Sequence, residues 1–337
     1  MSEITKPGEK IHETMPGWVW LGLAAIVVCL YFFGLSIPLL GPDEPRYAQV
    51  AREMFERGDW VTPTLGGFHW FEKPALLYWL QIASYKIFGV SEFAARFGSA
   101  LFGLGTVACL WILGRFTQPT SVDFTAKRQT PTADFANYLA LIAASTLGII
   151  VFSRGASFDI VVTFPMTAAL VSFYIFDQQS SPPYEGGVAA FRGRGGSLAA
   201  SADGVVVRLD NLPISPTPRL PFSLVLFYFF IGVAVLAKGL IGIVFPFAIV
   251  GLYYLLSWRR PGKVFVASLV WGTVLAVAVA GVWYVPMYLR HGYEFIDEFF
   301  IQHHFQRFTS NKYQHPQPFH FFLWVLRSEE RRVGKEC

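Results

Sequence analysis

Paired carboxylates, Asp43 and Glu44, stand in the stretch GPDEPRYAQVAREMFERGDW (41–60), where a long apolar run stops at Gly41-Pro42. A carboxylate can deprotonate or orient a nucleophile, so the pair is a candidate for acid–base work. FEKP (71–74) adds Glu72 and Lys73, and SRGASFD (153–159) adds Arg154 and Asp159. Arg46 and Tyr47 follow the first acids. Lys238 sits in AKG (237–239), and IQHHFQRF (301–308) supplies His303, His304 and Arg307. Lysine and arginine grip phosphate oxygens through charge-assisted hydrogen bonds. No Gly-rich phosphate loop, Ser-His-Asp set or cysteine nucleophile accompanies them.

The elements that must position these groups can be read from local pattern. Residues 45–57 read as a surface helix, with Pro45 at its first position and Gly58 just past its end. At roughly 100° per residue, Tyr47, Ala48, Val50, Ala51, Met54 and Phe55 fill one side. Charged residues and Gln49 fill the other, as in a helix lying in a membrane interface. A second, more apolar helix is expected from Pro74, with Gly89 after its end. Both starts carry acids, Asp43-Glu44-Pro45 and Glu72-Lys73-Pro74, where unpaired N–H groups and the helix dipole favour a carboxylate. Plain capping explains one such start. Two on one loop, beside Arg46 and Lys73, point to a site.

The remaining polar groups each have two readings. Arg154 and Asp159 either pair to close a tight turn, or Asp159 faces the Asp43 cavity. Lys238 is expected to snorkel to the interface. His303 and Arg307, four apart, share a face if helical. A histidine together with Glu72 offers ligands for a divalent metal ion. Solvated or interfacial histidines are the alternative.

Composition sets the class. Of 337 residues, 53% are hydrophobic and only 15% charged, against about 25% charged in an ordinary soluble domain. Several apolar runs reach the ~20 residues that cross a bilayer core. The expected fold is therefore an all-α polytopic membrane protein, with spans at 18–40, 93–114, 136–153, 158–176, 221–237, 239–257 and 264–288. The net charge of +4 fits basic cytoplasmic loops and does not suggest nucleic acid. Three cysteines, Cys29, Cys109 and Cys337, give no disulfide framework. The basic loop 257–263 is assigned to the cytoplasm. That places the tail 1–17 and the segments 115–135 and 177–220 inside, and the loops 41–92 and 290–318 outside. Segment 177–220, rich in Ser, Gly, Pro and Ala, reads as a flexible insertion. Residues 18–327 form one transmembrane domain. An eighth apolar run begins near Phe319 and breaks off after eight residues, and 328–337 turns abruptly charged. The expectation is a truncated piece of a longer protein, or a non-native tail.

Aspartates able to act as base, cations able to hold phosphate and two interfacial helices suit transfer from a lipid-phosphate donor. The donor tail would stay in the bilayer while its phosphate meets Lys and Arg. A carboxylate would activate the acceptor. Cations would stabilise the departing phosphate.

The stretch GPDEPRYAQVAREMFERGDWVTPTLGGFHWFEKPALLYWL resembles the first outer loop of GT-C membrane glycosyltransferases, in the aminoarabinose (lipid A) transferase and protein mannosyltransferase-like group. The likeness continues through AARFGSALFGLGTV, SRGASFD, LAKGLIGIVFP and QHHFQRF; EKPA stands in place of the more usual EKPP. The resemblance implies a GT-C helical bundle that moves a sugar, with inversion, from a polyprenyl-phosphate donor on the periplasmic face of the bacterial inner membrane. It implies Asp43 as key acid with Glu44 beside it, and Asp159 as a second acid near the acceptor route. It implies Lys73, Arg307, Arg46 and Tyr47 at the donor phosphate, and Glu72 with His303 or His304 at a metal. The acceptor would be lipid A or another envelope glycolipid, with protein Ser/Thr second. Rival readings are a transporter or flippase of a lipid-linked substrate, and an inactive scaffold.

Overall fold

The computed structural model describes residues 15–117, 120–123, 128–131, 134–180, 190–193, 196–200, 206–208 and 222–306; for the strands between 120 and 208 and for 303–306 it describes the backbone alone. Helix α1 (Gly17–Phe32) is followed by α2 (Asp43–Arg57), a hairpin of β1 (Thr64–Leu65) and β2 (Phe68–His69), and α3 (Leu76–Phe88). Then come α4 (Glu92–Thr117), the antiparallel pair β3 (Thr120–Asp123) and β4 (Arg128–Pro131), and helices α5 (Phe135–Ser145), α6 (Leu147–Ser153) and α7 (Phe158–Ser180). A three-stranded meander β5 (Ala190–Gly193), β6 (Gly196–Ala200), β7 (Val206–Arg208) precedes α8 (Phe222–Lys238), α9 (Ile241–Leu256) and α10 (Lys263–Phe295). A π-helical segment, Ile296–Gln306, continues from α10.

Three described helices are long and apolar enough to cross a bilayer, and the pair α5–α6, bent by 61°, makes a fourth. Helices α1, α8 and α9 are apolar but shorter. Large apolar side chains such as Trp18, Leu21, Val270 and Leu289 point outward, as lipid solvation favours. Inside, α4 packs on α5, α7 and α3, and α7 packs on α8, which packs on α9 and α10. Small residues allow the close approaches. A Cβ on Gly114 would lie 2.6 Å from the Ala136 backbone, and one on Gly272 would lie 2.3 Å from the Tyr228 ring.

Helices α2 and α3 close one end of the bundle. The apolar side of α2 reads as expected, and it is turned onto protein. Val50, Ala51 and Met54 are fully buried with Leu77, Tyr78 and Ile82 of α3 and with Phe158 and Val161 of α7. Gly58 ends α2 in the left-handed region (φ 66°), its N–H bonding the Met54 and Phe55 carbonyls, a conformation that favours glycine.

Several boundaries differ from the sequence reading. The first apolar run reaches Leu40, but the helix ends at Phe32; side chains from other helices supply the reason, given below. Helix α2 begins at Asp43, two residues before Pro45. Helix α3 begins at Leu76, so Pro74 and Glu72 lie ahead of it and no acid occupies its first turn. The run 136–153 is broken at Thr146, whose extended backbone (ψ 122°) separates α5 from α6. Helix α7 runs on to Ser180, four residues into the segment read as a flexible insertion. Residues 290–306, read as loop, are helical apart from Gly292, where φ 56° and ψ −129° kink the chain. Arg307, the apolar run after Phe319 and the tail 328–337 lie outside the described residues.

Candidate active site

Residues 33–40 leave the helix while still apolar, so their carbonyls need partners. Arg96, the fifth residue of α4 and only 1% exposed, provides them. Its Nη1 donates to the carbonyls of Leu35 (2.8 Å) and Ile37 (2.5 Å), and its Nη2 to that of Pro38 (3.0 Å). Nε and Nη2 also donate to Glu44, at 3.2 and 2.6 Å. A guanidinium has five N–H groups, and these five bonds satisfy them. Arg154 donates from Nη2 to the Phe33 carbonyl (2.8 Å) beside Gly34, whose φ of 71° turns the chain. Arg154 therefore does not pair with Asp159.

Glu44 is the hub of this corner. Besides Arg96, its oxygens accept the N–H groups of Leu40 and Ala156, each at 2.7 Å. Burial works to raise its pKa. The Arg96 hydrogen bond and the two backbone N–H groups outweigh it and hold the carboxyl below its ordinary 4.5. Neither acceptor oxygen caps α2 itself. The carboxylate instead ties α2 to the α1–α2 connection, to α4 and to the α6–α7 turn.

Asp43 is placed differently. Its side chain is 63% exposed and touches Arg46 at 3.3 Å; Arg46 in turn lies over the Trp70 ring, 5.6 Å from its centroid. Lys73 pairs with Glu72 at 3.2 Å, both about four-fifths buried. Asp159, at the head of α7, is paired with Lys238 at the end of α8. Lys238 had been expected to snorkel to the interface; it turns inward instead. Asp159 also receives a bond from the Ser157 hydroxyl. Tyr47 meets the Phe158 ring edge-on at 4.8 Å. Burial first, then the charges of Asp43 and Glu72, push its phenol up to about 12. It stays a neutral donor at physiological pH.

Asp43, Glu44, Tyr47, Lys73, Arg96, Asp159 and Lys238 all line one cavity of about 570 Å³, within the usual range for a small-molecule site. All of these but Arg96 were singled out from sequence and meet in one space, with Arg154 beside them. Arg46 and Glu72 stand directly behind it, paired with lining residues. Arg307 and the side chains of His303 and His304 are not among the described positions. Sequence reading missed Arg96, although a lone arginine in an apolar run is itself a signal. It also missed His69, His291 and Glu294, which carry no local motif.

A largely helical membrane protein with a charged cavity closed by two short helices is the class this geometry defines. The chain belongs to the dolichyl-phosphate-mannose-protein mannosyltransferase family, whose family model matches residues 17–189. It is 30% identical over 298 residues to an undecaprenyl phosphate-alpha-4-amino-4-deoxy-L-arabinose arabinosyl transferase of Aeromonas hydrophila, covering 87% of this chain and 45% of that protein. A protein of the same name from Aeromonas salmonicida is 29% identical, covering 85% and 43%. Among solved structures, ArnT from Cupriavidus metallidurans in the apo state aligns with a TM-score of 0.66 at 24% identity, over 92% of this chain and 47% of that one. The same protein bound to undecaprenyl phosphate aligns at 0.62 and 25% identity, over 93% and 48%. The chain spans just under half the length of these relatives.

Proposed function

We propose that the chain carries the donor-binding and acid–base half of a membrane glycosyltransferase. The donor is a polyprenyl-phosphate sugar, and the acceptor is lipid A or a related envelope glycolipid, ahead of a protein Ser/Thr hydroxyl. The observation that carries this reading is the shared cavity, which brings the exposed carboxylate of Asp43 to the same space as Lys73. The names of the relatives, and the undecaprenyl phosphate in one structural neighbour, support it.

In this reading the acceptor hydroxyl attacks the anomeric carbon from the face opposite the phosphate. Its O–H proton passes to Asp43 as the new glycosidic bond forms. The bond from the anomeric carbon to the phosphate oxygen breaks, and its electrons leave with the phosphate. Lys73, the neutral Tyr47 phenol, Arg46 and Arg307 hold that phosphate as its charge grows. Asp159 orients the acceptor and exchanges Lys238 for it as substrate enters. Glu44 positions Asp43 and takes no proton, because its oxygens already have four donors. A divalent ion at Glu72 with His303 or His304 belongs to the same reading, and transfer that survives a chelator removes it.

The cavity is assigned to the outer face of the bacterial inner membrane in a multi-pass arrangement. Support comes from Arg259, Arg260 and Lys263 between α9 and α10, at the opposite end of the bundle from Lys238, in keeping with the positive-inside rule.

The test separates binding from chemistry. Lys73→Ala weakens undecaprenyl phosphate binding by about tenfold or more, the worth of a hydrogen bond to a charged group. Asp43→Asn leaves that binding intact and lowers transfer by roughly 10²–10⁴-fold. Unchanged binding in the first variant, or unchanged turnover in the second, overturns the assignment.

A further inference from the structure

The loop between α2 and α3 is pinned to the rest of the molecule at three points. Glu53 accepts the Thr64 hydroxyl and the Gly66 N–H, each at 2.7 Å, and fixes the β1–β2 hairpin on α2. Asp59 accepts the Val61 N–H and Arg290 Nη1, at 2.9 and 2.8 Å, and fixes the loop on α10. The third point has a different chemistry. His69, the last residue of β2, reaches Glu294 beyond the α10 kink, Nδ1 to Oε1 at 3.0 Å. His291 packs against His69 with ring centroids 4.7 Å apart. One ligand atom from each of the three residues lies within 4.8 Å of the others.

We propose that His69, His291 and Glu294 bind a divalent transition-metal ion, zinc first, and that the ion clips the hairpin to the end of α10. Two imidazoles and a carboxylate are a known zinc donor set, which leaves a fourth position for water. Zinc–ligand bonds of about 2.0–2.1 Å put tetrahedral donors roughly 3.4 Å apart. The observed cluster needs only small side-chain rotations to contract to that. The supports around the ligands are present as well. Thr62 Oγ1 holds Nε2 of His291 at 2.9 Å, and Phe71 packs against both rings at 5.0 Å. Such outer contacts orient metal-binding histidines. His69 and Glu294 are 41% and 58% exposed, so an ion has a path in.

The ligands of this site differ from those of the Glu72 pairing, and Glu72 itself contacts Lys73. None of its three ligands lines the cavity. Its effect on the cavity is positional. Clipping β2 to α10 fixes the segment that runs on directly into Glu72 and Lys73.

The experiment uses the purified chain in detergent, stripped with a chelator and titrated with Zn²⁺ alone against a chromogenic competitor. The wild type retains one more equivalent of zinc than His69→Gln, His291→Gln or Glu294→Gln, and the same difference separates Glu72→Gln from Glu72→Gln/His69→Gln. Zinc raises the melting temperature of Glu72→Gln and leaves that of Glu72→Gln/His69→Gln unmoved. Co²⁺ in the wild type gives the intense visible bands of a four-coordinate site, a readout that needs no variant. A wild type with no zinc above background, or without those bands, overturns the proposal. So does a zinc content that His69→Gln leaves unchanged.

Discussion

The two ends of α7 carry the same kind of ion pair and use it differently. At the far end, Asp177 accepts the Tyr253 hydroxyl at 2.6 Å and Arg259 at 3.3 Å, and its side chain is 8% exposed. At the near end, Asp159 pairs with Lys238, and its side chain is 51% exposed. The first carboxylate is closed off and clamps α7 to α9. The second opens onto the cavity that holds Asp43 and Lys73. A buried, fully partnered charge fixes geometry and is hard to move. An open one can change partners when a ligand arrives. Within the cavity the same contrast separates Glu44, held by four donors, from Asp43, which touches Arg46 alone among its recorded ion pairs.

The contrast can be broken most forcefully at Arg96. Arg96→Met leaves Glu44 buried without its cation, and five bonds go with it. The expected loss is about 3–5 kcal/mol of stability, read from denaturation in detergent. A variant as stable as wild type shows that the corner is not a brace.

Exchanging the two ends of α7 comes next. Asp159→Asn lowers transfer by about 10- to 100-fold with little change in melting temperature. Asp177→Asn lowers stability by about 1.5–3 kcal/mol and leaves transfer unchanged. If both variants act on stability alone, the open pair is merely a second clamp.

Acid titration sharpens the Glu44 side. Its folded pKa lies below its ordinary 4.5, so it adds stability above that pH, and the contribution is lost as pH falls through the folded value. The wild type should weaken on acidification below 4.5, and Glu44→Gln should show a flatter decline from a lower starting point. The smallest effect is expected on the outer face of α2. Arg52 and Glu56 bond at 2.7 Å on the surface, each side chain about half exposed, and such pairs contribute little. Arg52→Ala should leave melting temperature and transfer where they were.

Much of this architecture was legible in the residues. The α2 face of Tyr47, Val50, Ala51 and Met54 follows from periodicity, and Gly58 from the need for a left-handed stop. The motif acids and Lys73 were legible by type. Capping was not the device, however. Glu44 reaches Leu40, Ala156 and Arg96, and Glu72 precedes α3 by four residues. The end of α1 at Phe32 was invisible because nothing local stops it there. Arg96 and Arg154 let residues 33–40 leave the helix by taking up their carbonyls. The Arg154–Asp159 pair, one of two readings of that turn, does not form, and Lys238, read as snorkelling, meets Asp159 instead. A charge at a helix end is recognisable in sequence, and its partner is not.

The sequence by itself determined the membrane class, the amphipathic face of α2 and the types of most charged groups at the cavity, Arg96 excepted. These depend on composition and on periods of a few residues. Only the tertiary structure decided which charge meets which. Glu44 and Arg96 are 52 positions apart, Asp159 and Lys238 79, and His69 and Glu294 225. Electrostatic pairing acts over a few ångströms, and those ångströms are set by how the helices pack, which no short window of residues encodes.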